Sequence, residues 1–223
     1  FLIETALYHA EDLGVSVEQL QQNNLTWMLS RLILEIDRLP ARQEKITIKT
    51  WPSGARKLFS CRDFLIFDES GKEIARATTG WLVVDMIKRR PVRLPEYVLK
   101  IQNNSAQRVI ERDFASFTSE IEYCSESCFN VLNSDIDINN HVTAVSYIDW
   151  IINSIPLNFY AKKLICELEI EYRYEAVINE SVHVYTSSDT SEQVNTLFHR
   201  VKNSSEDKMH AVAQTRWINH AIS

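Results

Sequence analysis

Apolar residues along this chain recur with two periods. Leu2, Ile3, Ala6, Leu7, Ala10 and Leu13 fall at helical spacing, as do Val145, Ile148, Ile152 and Ile155. Gly14 predicts the end of the first helix, and Pro156 the end of the second. After each helix the period drops to two, the mark of half-buried strands. Strands are predicted over 31–37, 44–51, 58–67 and 73–85, and again over 163–174, 180–187, 193–203 and 208–218. Polar turns, Asp68 to Gly71 and Asn203 to Asp207, join the last two strands of each set. Residues 96–118, just past Pro91 and Pro95, are polar and irregular and read as a linker.

The two sets are copies. Ala75, Ala77, Thr79 and Trp81 spell A-x-A-x-T-x-W, and Ala211, Ala213, Thr215 and Trp217 spell it again 136 residues later. At the same offset Glu44, Ile46, Ile48 and Thr50 align with Glu180, Val182, Val184 and Thr186, and Leu32 and Leu34 with Leu168 and Ile170. The expected organisation is a domain over 1–95, a linker over 96–118 and a domain over 119–223. Each is one long helix followed by antiparallel strands whose apolar face needs a cover, and the helix supplies it. The fold class is therefore α+β: two tandem hotdog domains, each an antiparallel sheet wrapped around a long central helix. Such a domain has a strand before its helix. Residues 119–133 can supply it in the second copy; in the first it would precede Phe1.

Composition narrows the classes of function. A 45% hydrophobic content supports an ordinary core, and 4 glycines with 5 prolines argue against disorder and glycine-rich phosphate loops. The net charge of -6 excludes a globally basic nucleic-acid surface, though not a local patch. Cys61, Cys124, Cys128 and Cys166 contain no CxxC pair, and no histidine lies close in sequence to Cys124 and Cys128. Reduced thiols in a cytoplasmic protein are expected, with no metal and no cofactor. No apolar run approaches ~18 residues, so no transmembrane helix or membrane partner is expected.

Two segments concentrate chemistry. In Asn133 to Tyr147, NSDIDINNHVTAVSY, residues Asp135, Asp137, Asn139 and His141 occupy every second position. An extended backbone would point them the same way, just before a helix start whose N–H groups suit a developing oxyanion. Helix capping and turns are the other reading of the same Asp and Asn residues. The second segment is LICELEIEYRYE, ending at Glu175. The residue at the equivalent place in the first copy is Leu39, so only one copy has an acid there. One copy keeps chemistry while the other serves as a binding wall.

At these residues the chain resembles the acyl-ACP thioesterases of plants and bacteria. The plant D-x-N-x-H-V segment corresponds to Asp137, Asn139, His141 and Val142, and E-Y-R-x-E to Glu171 through Glu175. LTWMLSRLILEIDRLP, ITIKTWPS and EIARATTGWLVVDMIKRRPVRLP resemble the family's N-terminal domain. The family's cysteine after the catalytic glutamate is Ala176 here, so a cysteine nucleophile cannot operate from this position. The resemblance implies hydrolysis of acyl-carrier thioesters to fatty acid and carrier thiol. It implies Glu175 as general base for water, with direct attack through an anhydride as the alternative. His141 would position the water and stabilise charge, Asn139 hold the carbonyl or the water, and Asp137 orient Asn139 or the helix start. Backbone N–H groups near Val142 and Thr143 would face the oxyanion.

The acyl tail is expected in the first domain near Trp27, Trp51 and Trp81. The carrier, an acidic protein, is expected at Lys88, Arg89, Arg90 and Arg93, with Arg56 and Lys57 a smaller basic cluster. A hotdog acyl-CoA thioesterase and a non-catalytic acyl-binding module are the competing readings; a dehydratase would leave the thioester intact. Pairing of two chains through exposed sheet edges, a homodimer, stays open.

Overall fold

The computed structural model describes residues 1–102, 108–117, 123–137, 141–189, 195–203 and 208–219. The chain forms two compact units, Phe1–Phe114 and Ala115–Ser223.

The N-terminal unit opens with α1 (Leu2–Asp12) and α2 (Val17–Gln21). Gly14 ends α1 in the left-handed region, at φ 73°. Ser16 then starts α2 through a reciprocal pair of bonds: its N–H donates to Gln19 Oε1, and its hydroxyl accepts from the Gln19 N–H. The strands are β1 (Leu25–Ile36), β2 (Thr47–Arg56), β3 (Phe59–Phe67), β4 (Glu73–Asp85) and the short β5 (Arg90–Val92), followed by α3 (Glu96–Gln102). They are antiparallel in the order β2-β3-β4-β1, with β5 on the end of β4. β1 begins at Leu25, earlier than its apolar centre suggested, because Leu25 and Trp27 also pack against the core. The segment expected to be an irregular linker starts with a helix. Leu94 and Val98 are buried with Ala10, Val15, Leu20 and Val83, and Ile101 packs against them. Apolar residues at helical spacing thus outweigh the polar composition around them.

The C-terminal unit contains β6 (Ser125–Asn130), a 3-10 turn (Asn133–Asp135), α4 (Ala144–Asn153), α5 (Leu157–Tyr160), β7 (Lys163–Tyr172), β8 (Ser181–Asp189), β9 (Asn195–Asn203) and β10 (Met209–Asn219). The order is β7-β10-β9-β8-β6, with every pairing antiparallel. β6 is the strand expected before the helix. Tyr147, Trp150 and Ile151 on α4 are buried, as are Leu168, Ile170, Val201 and Trp217 on the sheet. Among the described residues no helix is long and apolar enough to cross a membrane.

The repeated sequence becomes repeated register. Leu32 and Leu34 pair with Thr79 and Ala77, and Leu168 and Ile170 with Thr215 and Ala213. Both ladders slip beside the tryptophan of the repeat, at Leu29/Arg31 opposite Trp81 and at Trp217 itself. In both, the indole N–H donates to the threonine hydroxyl two residues earlier: Trp81 to Thr79 at 2.9 Å, Trp217 to Thr215 at 2.8 Å.

A buried polar group sits at the same place in each β3-type strand. In the N-terminal unit it is Asp63. Its carboxylate accepts from Ser53 and Thr78 hydroxyls at 2.8 and 2.9 Å, and from the Val109 N–H at 2.7 Å. Burial nonetheless pushes its pKa up. In the C-terminal unit it is His199, bonded to Thr186 and Thr215. Burial pushes its pKa down to about 3.

Candidate active site

The site is built from two segments of the C-terminal unit. The first runs from the 3-10 turn into α4. Ile136 and Val142 form an isolated antiparallel bridge. The Asp137 N–H donates to the His141 carbonyl at 2.8 Å, and the Asp137 carboxylate accepts from the His141 N–H at 3.0 Å. Asp137 thus holds the backbone of His141 from both sides. Val142 is buried and anchors the bridge. Thr143 caps α4, its hydroxyl accepting from the Ser146 N–H.

Two expectations change here. Asp135 is not part of an extended run that shares a face with Asp137. It lies in the 3-10 turn, where its carboxylate accepts from the Leu132 N–H at 2.8 Å. The Thr143 N–H is also engaged, donating to the Asp135 carbonyl at 2.8 Å, so it does not face an oxyanion. Helix capping explains Asp135 and Thr143; it does not explain His141. Asn139 lies outside the described residues.

The second segment follows β7. Glu175 Oε2 comes to 3.7 Å from His141 Nε2, and the two side chains are 43% and 52% exposed. Backbone bonds on both sides fix Glu175. The N–H groups of Arg173 and Tyr174 donate to the His210 carbonyl. The Ala176 N–H donates to the Tyr147 hydroxyl at 2.9 Å, and the Val177 N–H to the Glu180 carboxylate at 2.9 Å. His210 is fully buried between the Tyr174 carbonyl, 3.1 Å from Nδ1, and Glu180 Oε1, 2.8 Å from Nε2. Tyr147 packs edge-on against Trp150 and Tyr172, and Tyr172 donates to the Ala144 carbonyl at the start of α4. One cluster therefore supports both halves of the site. Sequence reading missed Tyr147, Tyr172, Glu180 and His210. The one visible signal was that His210 abuts the second A-x-A-x-T-x-W. Beside the site, Asn133, Ile136, Asp137 and Ile178 line an open cleft of about 290 Å³.

Among the described residues the N-terminal unit has no counterpart to this pair. Leu39, at the position equivalent to Glu175, is an exposed leucine. The three tryptophans proposed for the acyl tail do not line one surface. Trp81 stands opposite Ser60 and Trp51 opposite Asp63. Ser60 and Asp63 are an odd number of residues apart on β3, so they face opposite sides. Trp27 packs on the helix-covered core, its indole donating to the Val15 carbonyl at 2.8 Å. Lys88, Arg89, Arg90 and Arg93 are all exposed around the β4–β5 turn. Asp85 builds that turn by accepting from the N–H groups of Ile87 and Lys88. Lys88 Nζ also lies 3.4 Å from the Asp85 carboxylate, and Arg56 is ion-paired with Asp113.

Residues 1–102 match the acyl-ACP thioesterase N-terminal domain model, and residues 118–219 match the acyl-ACP thioesterase C-terminal domain model. The chain belongs to the acyl-ACP thioesterase family. An acyl-[acyl-carrier-protein] hydrolase of Cuphea viscosissima, FATB3, is 29% identical over 204 residues, 85% of this chain and 49% of that protein. A palmitoyl-acyl carrier protein thioesterase of Gossypium hirsutum is 29% identical over 210 residues, 87% of this chain and 51% of that protein. Both are chloroplastic, and this chain spans about half the length of the curated relatives it matches. The solved acyl-ACP thioesterase of Bacteroides thetaiotaomicron superposes with a TM-score of 0.85 at 27% identity, covering 97% of this chain and 86% of that one. The two hotdog domains expected from the repeat are the fold of this family member.

Proposed function

We propose that this protein hydrolyses fatty acyl thioesters of an acyl carrier protein, releasing the fatty acid and the carrier thiol. The observation that carries the proposal is the approach of His141 Nε2 to Glu175 Oε2, in the C-terminal domain alone. Their 3.7 Å separation exceeds a direct hydrogen bond and suits a shared water. Glu175 takes a proton from that water as it attacks the thioester carbonyl; the carrier sulfur leaves and is protonated. His141 orients the water and stabilises the charge that develops on the carbonyl oxygen. Asp137 sets His141 through its backbone, and Asn139 completes the polar set by family resemblance. Ala176 leaves no sulfur beside Glu175 for a cysteine route.

The carrier docks on the exposed basic turn of Lys88, Arg89, Arg90 and Arg93. An acidic partner is attracted there despite the net charge of -6. The reaction belongs in the cytoplasm, where four free cysteines stay reduced.

Release of free thiol from acyl-carrier and acyl-CoA substrates tests the reading, with Glu175→Ala as control. Fast release from acyl-carrier that collapses in the variant is the expected result. Equal or better turnover of acyl-CoA reassigns the carrier, and acyl binding without release from any substrate makes the protein a binding module.

A further inference from the structure

A second cluster of thiol, imidazole and carboxylate lies on β6 and β8, beside β9, and uses none of the residues described for the site above. Cys128 on β6 stands directly across from His183 on β8, and His183 directly across from Lys202 on β9. Residues paired this way share one face of a sheet. Glu126, two residues before Cys128, shares that face too. Cys128 Sγ is 3.8 Å from His183 Nε2. On the other side of the ring, Nδ1 bonds a Glu126 carboxylate oxygen. Hydrogen bonds from His183 and then Tyr185 hold the Glu126 pKa below the ordinary value. Tyr185 also stacks on the imidazole, with ring centroids 6.2 Å apart.

The chemistry of the donors assigns the tautomer. An ionised carboxylate only accepts, so in the neutral ring Nδ1 carries the proton and Nε2 presents its lone pair to the Cys128 thiol. Nucleophile, base and orienting acid are thus in line. Among the described residues no three groups of this kind are placed to hold a metal ion. Two cations share the face with Glu126: Arg200 stands across from Tyr185, and Lys202 from His183. Cys128 is exposed on an edge strand rather than sunk in a pocket, which suits a small reagent.

We propose that Cys128, His183 and Glu126 form a thiol–disulfide exchange site whose reagent is a small anionic disulfide. The Cys128 S–H bond breaks and its proton passes to His183 Nε2. Sγ attacks one sulfur of the reagent, a new S–S bond forms and the reagent's S–S bond breaks. The departing thiolate takes the proton from His183. Cys128 is oxidised to a mixed disulfide and half of the reagent is reduced to a thiol. The step is independent of thioester hydrolysis.

The chain contains its own control. Cys124 is also exposed, but its Sγ meets the Thr186 carbonyl at 3.4 Å. Burial pushes the pKa of Cys61 up to about 11 and that of Cys166 upward. The test follows the reaction of the full chain with dithiobis-nitrobenzoate, an anionic disulfide, at neutral pH. In the Cys124→Ser variant, Cys128 is expected to react on the order of tenfold faster than Cys124 does in Cys128→Ser. His183→Gln in the Cys124→Ser background removes that advantage. The same change in the Cys128→Ser background leaves the Cys124 rate alone, which shows that the sheet is intact. Equal rates for the two thiols, or a Cys128 rate indifferent to His183→Gln, overturns the proposal. Mass spectrometry showing disulfide-linked chains in place of the mixed disulfide does so as well.

Discussion

The two hotdog domains differ least where they are most buried in register and most where they meet chemistry. Leu34 with Ala77 and Ile170 with Ala213 occupy the same rung of the same ladder, and each ladder carries the same tryptophan-to-threonine bond. Yet the rung that presents Asp63 in one domain presents His199 in the other, and the loop that presents Leu39 in one presents Glu175 in the other. A sheet tolerates little change in side-chain register, because a slip of one residue turns every side chain to the wrong face. The residue at a strand end or a single polar position is freer to diverge. The two domains therefore share a frame and differ in individual groups, and in this chain the proposed catalytic groups gathered on one side only.

The sharpest way to test that asymmetry is to remove each member of the Leu39/Glu175 pair. Glu175→Ala is expected to lower the rate of thioester hydrolysis by at least ~10²-fold with an unchanged melting curve. Leu39→Ala should leave kcat within about twofold, since an exposed surface residue rarely matters to the chemistry. Matching losses from the two variants would refute the division of labour.

The two buried groups respond to acid in opposite directions. The folded pKa of His199 is depressed to about 3 from 6.5. Its contribution to stability is present above 6.5 and is lost as pH falls from there toward 3. The folded pKa of Asp63 is raised. Its contribution is present below the unfolded carboxylate pKa and is lost as pH rises through the folded value. Hydrogen-exchange protection, read domain by domain, should therefore fall in β9 and β10 on acidification before it falls in β3 and β4. His199→Gln should flatten the C-terminal response. Parallel loss in both domains would contradict the assignment.

Smaller effects come from the shared tryptophan bond. Thr215→Val strands the indole N–H of Trp217, which is 1% exposed, and removes a partner of the buried His199 as well; it should cost at least about 1–3 kcal/mol in denaturant unfolding. Thr79→Val should cost less, because Trp81 is only partly buried and water can replace the partner. Smallest at ordinary salt, reversing Arg89 and Arg90 to Glu should weaken carrier binding, more so as ionic strength falls. Unchanged affinity at low salt would remove the β4–β5 turn as the docking surface.

Much of this was legible in the chain because the repeat is written in residues that a sheet uses in fixed places. The A-x-A-x-T-x-W copies located β4 and β10, and the drop in period located the strands beside them. Gly14 marked the end of α1. The start of β1 and the presence of α3 were less visible, since packing against Ala10, Leu20 and Val83 decides them and those partners are distant in sequence. The same holds at the site. D-x-N-x-H pointed to Asp137 and His141, but the spacing could not distinguish Asp137, which grips His141, from Asp135, which closes a turn. The clamp on Glu175 reaches it from Tyr147 on α4, His210 on β10 and Glu180 in the same loop, and the first two have no local signature.

In each domain the first strand after the helices pairs with the last long one: β1 with β4, and β7 with β10. That ordering has a kinetic meaning. The core of either domain cannot close until its final long strand is available, so Leu34 waits for Ala77 and Ile170 for Ala213. Pairing this remote in sequence slows the search for the native state. During synthesis the N-terminal sheet can complete as soon as β4 has emerged, well before β7 exists. The final long strand β10 brings His210 with it, so the Glu175 loop gains the part of its clamp that His210 supplies only once β10 has paired with β7.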